Sequence, residues 1–591
     1  MEAPRRKNDK KARKRGVAQA PALRLTKGNL LEEGAYGKVY DIGKLEGLQC
    51  VLKLSNIWEA DEYDDSESDS DSDAEDMGPS SAFLEESTLH HSCVREILVP
   101  QLYVASRKTG DCFRLCPTLN VKLQKDKVAS IMPNCGVSLE DCLDECKTPL
   151  SLGTVRVVLR QVLSAVNEVQ NLMPRCFHGD IKPQNLMLAR DAGGRVHCTL
   201  IDWSFTRSEV GCRAESFSTD WFYSPEMMIS HEEDCQEPPR SSDVWGCGMV
   251  AAWMLMGKDA MESMYRESRK KNGGIESSRS WMNVAADLIG LPEPWTCVKQ
   301  IRREDDLEEV ANDQRFECGL MNSMLEGRQK CDDLKTCLSA IMTVDWSRRP
   351  SATQALALLD EPTAREHEVA AQELLDALEE KPVLDQAETE RHVQELFGRD
   401  VKEDCDAEQV DGSAVSECEV IEALVDLAQH SDMQPMAFCM ALTLCRVLKS
   451  HKLFGGDPNR CARVSVLIAI AMSHAPMERQ EIDQLGIKDK DLAVACRLCM
   501  SPSAVERIRW GISQAYLVRN QTLLAFANEQ RPTRRSFCSF LESLPEAILS
   551  SAGRDALTQS VQSLVASSIE YGNGTVREGS RFLGRWKSRA W

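Results

Sequence analysis

The last third of this 591-residue chain is built from helix-length apolar blocks. Val420-Ile421-Glu422-Ala423-Leu424 opens the series, followed by Met436 to Leu448, Arg463 to Ser473, Leu492 to Met500 and Val505 to Leu523. Strand-type alternation is scarce there, and the turns carry Gly and Pro, as in Gly455-Gly456-Asp457-Pro458. The pattern predicts a bundle of about five to eight helices from about Val420 to Ala566. Glu361 to Glu408 is charged, with helical periodicity around His367 to Leu378, and reads as linker helices. Further upstream, Cys50-Val51-Leu52-Lys53-Leu54 predicts an apolar strand carrying one lysine, and Leu200-Ile201 closes a β-like run that ends at Asp202.

Composition changes this picture little. With 42% hydrophobic residues the chain can bury large cores, and its length predicts two to four domains. Val464 to Met472 comes nearest to a membrane span but is far shorter than the about 18 to 20 apolar residues required. The N-terminus lacks a signal-peptide-like apolar segment, so no membrane partner is expected. Twenty-four cysteines are scattered among only ten histidines. Cys496 and Cys499 have metal spacing but no second pair nearby, and core thiols in a reducing compartment are the better expectation.

Charge is placed unevenly. Arg5 to Arg15 is a basic cluster, expected to be disordered, of a kind that binds importins or nucleic acid or is merely solvated. Nuclear or cytoplasmic localisation, or both, follows as an expectation. Glu59 to Asp76 alternates Asp, Glu and Ser and cannot bury enough surface to fold. Its Ser66, Ser68, Ser70 and Ser72 suit an acid-directed modifying enzyme; a solvated loop with no regulatory role is the other reading. Arg577 to Trp591 mixes basic residues with Phe582, Trp586 and Trp591, a pattern that binds nucleic acid or a partner groove when it is not a frayed end. Beyond these tails nucleic acid is not an expected partner.

Candidate chemistry concentrates in His178-Gly179-Asp180-Ile181-Lys182-Pro183-Gln184-Asn185 and, after a turn-rich stretch, Leu200-Ile201-Asp202-Trp203-Ser204. An Asp with a Lys two positions on and an Asn five on, then a second Asp after an apolar run, is what phosphoryl transfer from Mg-ATP needs. Asp180 is the candidate base that orients the attacking hydroxyl. Lys182 is the candidate for neutralising γ-phosphate charge, and Asn185 and Asp202 are candidate Mg²⁺ ligands. Leu31 to Tyr40 offers glycines at Gly34 and Gly37, which let a hairpin bring backbone N–H groups close to phosphates.

In this order along the chain, these stretches resemble the eukaryotic protein kinases. The resemblance covers about 330 residues and includes Thr219-Asp220-Trp221-Phe222-Tyr223-Ser224-Pro225-Glu226 at the end of an activation segment and Asp243-Val244-Trp245-Gly246-Cys247-Gly248 at the start of a buried helix. It implies an α+β bilobal kinase fold, with ATP and Mg²⁺ as cofactors and protein substrates as partners. It implies an ATP site with Glu32, Gly34, Ala35, Gly37 and Val39 on the glycine-rich loop, and Met132 at the back of the adenine pocket before a hinge from Pro133 to Gly136. It further implies that Lys53 binds the α- and β-phosphates, held by Glu96 of helix C, and that Arg349 pairs with Glu226. Lys182 followed by Pro183 resembles the Ser/Thr kinases. Val94-Arg95-Glu96-Ile97, Thr219 to Phe222 and Asn283 to Trp295 resemble the cyclin-dependent kinases and their relatives.

Three departures from that group bear on regulation. Glu32 replaces the first loop glycine. Arg95 and Arg207 match two of the arginines that clamp a T-loop phosphothreonine, but Gly179 stands where the catalytic-loop arginine would be. Counting back from Thr219, the phosphoacceptor position falls on Ala214, beside Glu215, so activity is expected not to require phosphorylation there; Ser216 or Ser218 could substitute. Ser204 replaces the glycine after the metal Asp and is expected to restrict that turn.

The expected organisation is a basic tail at 1–27, a kinase domain at 28–360 with an acidic insert at 59–82, a helical linker at 361–415, an all-helical domain at 416–570 and a basic, aromatic tail at 571–591. From Ala437 to Asp483 the helical domain loosely resembles a cyclin box, although the lysine and glutamate that cyclins use to grip a kinase are not recognisable near Ser473-His474. A generic helical interaction domain is the alternative. If the resemblance holds, the chain carries its own activator in cis at high effective concentration. A rival reading is a pseudokinase scaffold, favoured by Glu32, Gly179, Trp203 and Ser204 and opposed by the complete catalytic set. A third reading makes the helical domain the effector and the kinase its regulator.

Overall fold

The strand predicted around Lys53 is the middle of a five-stranded antiparallel sheet. The computed structural model describes residues 29–34, 37–45, 47–56, 92–108, 112–124, 127–146, 149–208, 222, 224–227, 240–271, 278–291, 310, 312–326, 331–376, 383–394, 415–429, 435–473, 485–518 and 550–559. The sheet comprises β1 (Leu30–Gly34), β2 (Gly37–Leu45), β3 (Leu48–Asn56), β4 (Asn120–Gln124) and β5 (Lys127–Pro133), in the order β1-β2-β3-β5-β4. Along β3, Cys50, Leu52 and Leu54 are buried while Val51 and Lys53 are half-buried on the opposite face, the period-two pattern of a strand with one side on the core.

Helix α1 (Ser92–Ser106) packs on this sheet and carries Pro100 inside it. A proline there has no N–H for the carbonyl four residues back. The Glu96 carbonyl is instead satisfied by the Thr118 hydroxyl at 3.1 Å, and Gln101 Nε2 donates to the Thr118 carbonyl at 2.8 Å. Two polar contacts therefore fasten α1 to the segment entering β4 and compensate the missing ladder bond.

The second lobe is mostly helical. Its elements are β6 (Val137–Ser138), α2 (Leu139–Glu145), α3 (Leu152–Leu172), β7 (Cys176–Phe177), β8 (Leu186–Arg190), β9 (Val196–Leu200), β10 (Arg207–Ser208), α4 (Ser241–Met256), α5 (Lys258–Lys271), α6 (Ser278–Ile289), α7 (Leu320–Leu325), α8 (Asp332–Ile341) and α9 (Ala352–Leu356). β6, β8 and β9 form one small sheet, β7 and β10 another. Every residue of α4 from Ser242 to Leu255 is buried, which makes it the lobe's central helix, as its charge-free run from Val244 to Leu255 requires.

Among the described residues the linker is largely helical and bridges the lobes. α10 (Ala364–Leu375) begins with a capping box between Thr363 and Glu366 and lies on α3, where Arg156 pairs with both Asp333 and Glu366. The chain then adds a parallel bridge at Val383 to Arg190 of β8. α11 (386–394) reaches the β-sheet lobe, where Glu390 pairs with Arg107 just beyond α1.

The C-terminal domain consists, among the described residues, of α12 (Glu417–Gln429), α13 (Pro435–Leu448), α14 (Pro458–Ser473), α15 (Asp489–Met500), α16 (Pro502–Val518) and α17 (551–559). The first five fall on the five apolar blocks of the sequence. α14 is buried from Val464 to Ser473, which explains why the most apolar stretch of the chain is a bundle core. No helix among the described residues is long and apolar enough to cross a membrane. Asp491, fully buried, accepts from Arg463 at 2.9 Å and from the Lys488 backbone at 3.1 Å, a pairing that makes its burial tolerable. Cys496 and Cys499 are both buried on α15, burial pushes both thiols up, and no described group of three His, Cys, Asp or Glu could hold a metal.

This domain seats on α1. Arg95 Nε donates to the Ala471 carbonyl of α14, Gln101 Nε2 lies 3.6 Å from Met500 Sδ of α15, and the Arg175 guanidinium lies 5.7 Å from the Tyr516 ring of α16. A helix lying on one sheet would leave a face in water, yet α1 is buried without a break from Cys93 to Tyr103. The second cover comes from α14, α15 and α16. The two-lobed fold with an appended all-helical region is as the sequence implied.

Candidate active site

The site forms where β3, α1 and the β8–β9 hairpin converge. Lys53 Nζ lies 2.8 Å from Glu96 Oε1 and 3.2 Å from Asp202 Oδ1. Burial alone would lower the lysine; the carboxylates of Asp202 and Glu96 outweigh it and hold the ammonium above its usual range. Burial would raise Asp202, but Lys53, the Ser204 hydroxyl and His178 hold its carboxyl well below the usual carboxylate range. The strand, the helix and the loop thus meet at one charged cluster. Ser55 Oγ adds a 2.9 Å bond to Glu96 Oε2, so the buried glutamate has a partner on each oxygen.

On the other lobe, residues 178–185 are held by backbone capture. The buried Asp243 carboxylate, at the start of α4, accepts the His178 N–H at 2.7 Å and the Gly179 N–H at 2.9 Å. His178 Nε2 lies 3.1 Å from the Ile201 carbonyl and its Nδ1 accepts the Asp180 N–H at 3.2 Å, so one ring ties Asp180 to the segment bearing Asp202. The same ring meets Trp203 edge-on, with centroids 5.3 Å apart. Gly179 has φ +84°, and a Cβ there would come within 3.2 Å of Phe205, so the backbone itself favours glycine where the family resemblance implies arginine.

Asp180 Oδ2 accepts from Lys182 Nζ at 2.9 Å and from Asn185 Nδ2 at 2.8 Å. Asn185 Nδ2 also bonds the Asp180 carbonyl, which leaves its amide oxygen as the atom for a metal. The β8–β9 register pairs Leu186 with Leu200, and the Ile201 N–H donates to the Asn185 carbonyl at 3.0 Å. Asn185 and Asp202 therefore emerge at the same end of one hairpin.

Asp202 has φ +67°, an unusual conformation that costs about 1–3 kcal/mol for a residue other than glycine. Aspartate tolerates it by hydrogen bonding locally, here through the Ser204 N–H at 3.3 Å and the Ser204 hydroxyl, both on Oδ1. Lys53 falls on that oxygen too, and Oδ2 is left for a cation. One carboxylate and one amide oxygen, with phosphates supplying the rest, suit the few-protein-ligand style in which Mg²⁺ is bound with a nucleotide.

Gly34 pairs with Gly37 at the β1–β2 turn, and a Cβ on Gly37 would lie 2.2 Å from the Leu54 carbonyl, so only glycine permits this close approach. Glu32 is exposed and pairs with Val39; Ala35 lies outside the described residues. Met132 pairs with Val51 on β5, and the Asn134 N–H donates to the Gln49 carbonyl at 2.9 Å, which fixes the start of the hinge. Arg349, whose side chain is fully buried, makes a two-pronged pair with Glu226 at 2.6 and 3.0 Å and lies 5.1 Å from the Trp245 ring.

Of the two clamp arginines, Arg95 donates from Nη1 to the Ser204 carbonyl at 2.7 Å, while Arg207 is buried on β10 against Phe177. Thr219, Ala214, Glu215, Ser216, Ser218 and the acidic insert lie outside the described residues. No role for Ser55, Thr118 or His178 follows from the sequence. Only His178 carries a signal, its fixed place two residues before Asp180.

The family profile for the protein kinase domain matches residues 26–358. Among similar proteins are the mitogen-activated protein kinase KSS1 of Saccharomyces cerevisiae, 30% identical over 25% of this chain and 44% of that protein, and a serine/threonine-protein kinase of Candida albicans, 22% identical over 38% and 29%. The cyclin-dependent kinase-like 1 protein of Caenorhabditis elegans is 28% identical over 18% of this chain and 27% of its own length. The chain spans less than half the length of these relatives. The profile covers more than half of the chain in hand, and the chain belongs to the protein kinase family, with relatives among the eukaryotic Ser/Thr and cyclin-dependent-like kinases.

Proposed function

We propose that this protein is a serine/threonine kinase that passes the γ-phosphoryl of Mg-ATP to protein hydroxyls, with its C-terminal helical domain supporting helix α1 in cis. The observation that carries this reading is the joint pairing of Lys53 with Glu96 and Asp202. It sets a cation between the two lobes where α- and β-phosphates would lie. Bound Mg²⁺ would neutralise the phosphate oxygens and hold them in line for transfer. In this reading Asp180 accepts a hydrogen bond from the incoming hydroxyl and Lys182 meets the phosphate, which the 2.9 Å contact between the two side chains supports. Asn185 and Asp202 present their oxygens from one hairpin end.

Support in cis rests on the burial of α1 on both sides. Activation by a regulatory domain is ordinarily a matter of holding the helix that carries the glutamate, and here the holder is covalently attached. The central helix α14, enclosed by its neighbours and touching α1 through Ala471, is what supports reading the domain as cyclin-like.

The test is incubation of the full chain with Mg-ATP and a mixture of casein and histone, followed by phosphoamino-acid analysis. Phosphoserine or phosphothreonine is expected. Nucleotide retention without any labelled acceptor would favour the scaffold reading.

A further inference from the structure

At the position where the kinase resemblance implies glycine, Ser204 uses three of its polar groups at once. Its N–H and hydroxyl both donate to Oδ1 of Asp202. Its carbonyl accepts Nη1 of Arg95 at 2.7 Å. The other arm of that guanidinium, Nε, donates to the Ala471 carbonyl of α14 in the C-terminal domain. Ser204 Oγ also lies 3.5 Å from Glu96 Oε1. Ser204 and Arg95 are both buried, so none of these groups can trade its partner for water without opening the site.

We propose that Ser204 is a positioning residue that couples docking of the C-terminal domain to the orientation of the Asp202 carboxylate. This rests on the kinase reading and names a regulatory connection within the same site. Glycine in place of Ser204 would leave Oδ1 to Lys53 and one backbone N–H, and Asp202 could turn about its side-chain bonds. The hydroxyl removes that freedom and keeps Oδ2 turned outward. Arg95 transmits the position of α14, because a shift of Ala471 pulls on the same guanidinium that grips the Ser204 carbonyl. The coupling runs through four directly bonded residues, Ala471, Arg95, Ser204 and Asp202.

The experiment uses the full chain with Ser204→Ala, Ser204→Thr, Arg95→Lys and the Ser204→Ala/Arg95→Lys pair. Two readouts are taken: the Mg²⁺ concentration giving half-maximal phosphoryl transfer at saturating ATP, and amide hydrogen exchange of residues 201–206 without nucleotide or metal. Ser204→Ala is expected to raise the Mg²⁺ requirement on the order of tenfold, as loss of a partner that orients a metal ligand does. It should also speed exchange in 201–206, with Ser204→Thr close to the parent in both. Arg95→Lys should raise the Mg²⁺ requirement too, and by less when Ser204 is already alanine. Parent-like Mg²⁺ dependence and exchange in Ser204→Ala, or strictly additive effects in the pair, would overturn the proposal. A parent that transfers no phosphoryl group defeats the kinase reading instead, and the exchange measurement then still decides the role of Ser204.

Discussion

Arg95 on α1 and Ala471 on α14 are joined by a hydrogen bond from the arginine Nε to the alanine carbonyl, across the boundary between the kinase lobes and the C-terminal domain. The family resemblance gives that arginine a phosphothreonine partner. In this molecule two of its donors, Nη1 and Nε, are directed at backbone carbonyls, those of Ser204 and Ala471. A buried arginine without acceptors would be costly, and these carbonyls supply acceptors that no kinase has to add.

Activity should therefore survive removal of phosphate. Chain treated with a broad phosphatase, with dephosphorylation checked by mass spectrometry, is expected to keep most of its transfer rate. Complete loss on treatment, with phosphate found on Ser216 or Ser218 of the active form, is the contrary result.

The Lys53–Glu96 pair should govern nucleotide handling. Lys53→Met removes the cation facing two carboxylates and is expected to lower transfer on the order of 10²-fold or more. Glu96→Gln should have a milder effect, because the amide keeps one oxygen that can accept from Lys53 and the Lys53–Asp202 contact is untouched. Steady-state rates with ATP varied will check both.

Arg349→Ala is predicted to be a stability variant. It strands the buried Glu226 carboxylate, and breaking one side of such a pair costs about 3–5 kcal/mol. Denaturant unfolding should show the loss, and Arg349→Lys should recover only part of it, because a lysine cannot make both contacts.

Burial, with a smaller contribution from Arg114, depresses His197 below the ordinary histidine value of about 6.5, against the opposing effects of its hydrogen bond to the Phe113 carbonyl and of Asp191. Its Nε2 lies 2.8 Å from the Phe113 carbonyl. The unfolded chain then binds a proton at higher pH than the folded one. Stability is present above the ordinary value and falls as pH drops through it towards the depressed one. Melting temperatures from about pH 7 down to about pH 5 should fall more steeply for the parent than for His197→Gln. Parallel curves would contradict the assignment.

Much of the charged cluster could be read from the sequence because its chemistry depends on side chains at fixed spacings. Asp180, Lys182 and Asn185 sit on one short loop, and Asp202 follows one hairpin later. The five apolar blocks became five helices for a similar reason, since each block must bury a face. The remaining features depend on groups that every residue carries or on contacts remote in sequence. The Ala471 carbonyl has no side-chain signature. The Thr118 hydroxyl serves Glu96 because Pro100 lacks an N–H, a relationship that spans three separated residues. In the sequence Ser204 is a constraint on the backbone, whereas in the fold its hydroxyl acts as a donor to Asp202. In the sequence Gly179 is a lost clamp, and its positive φ adds a backbone reason for glycine at that place.

Transfer of labelled γ-phosphate from Mg-ATP to serine or threonine, compared between the parent and Asp180→Asn in the full chain, tests the central claim most directly. Clear labelling by the parent and near-abolition in the variant are expected, with Mg-nucleotide binding retained in both. Equal labelling by the two proteins, or none by a parent that is folded and holds nucleotide, would contradict it.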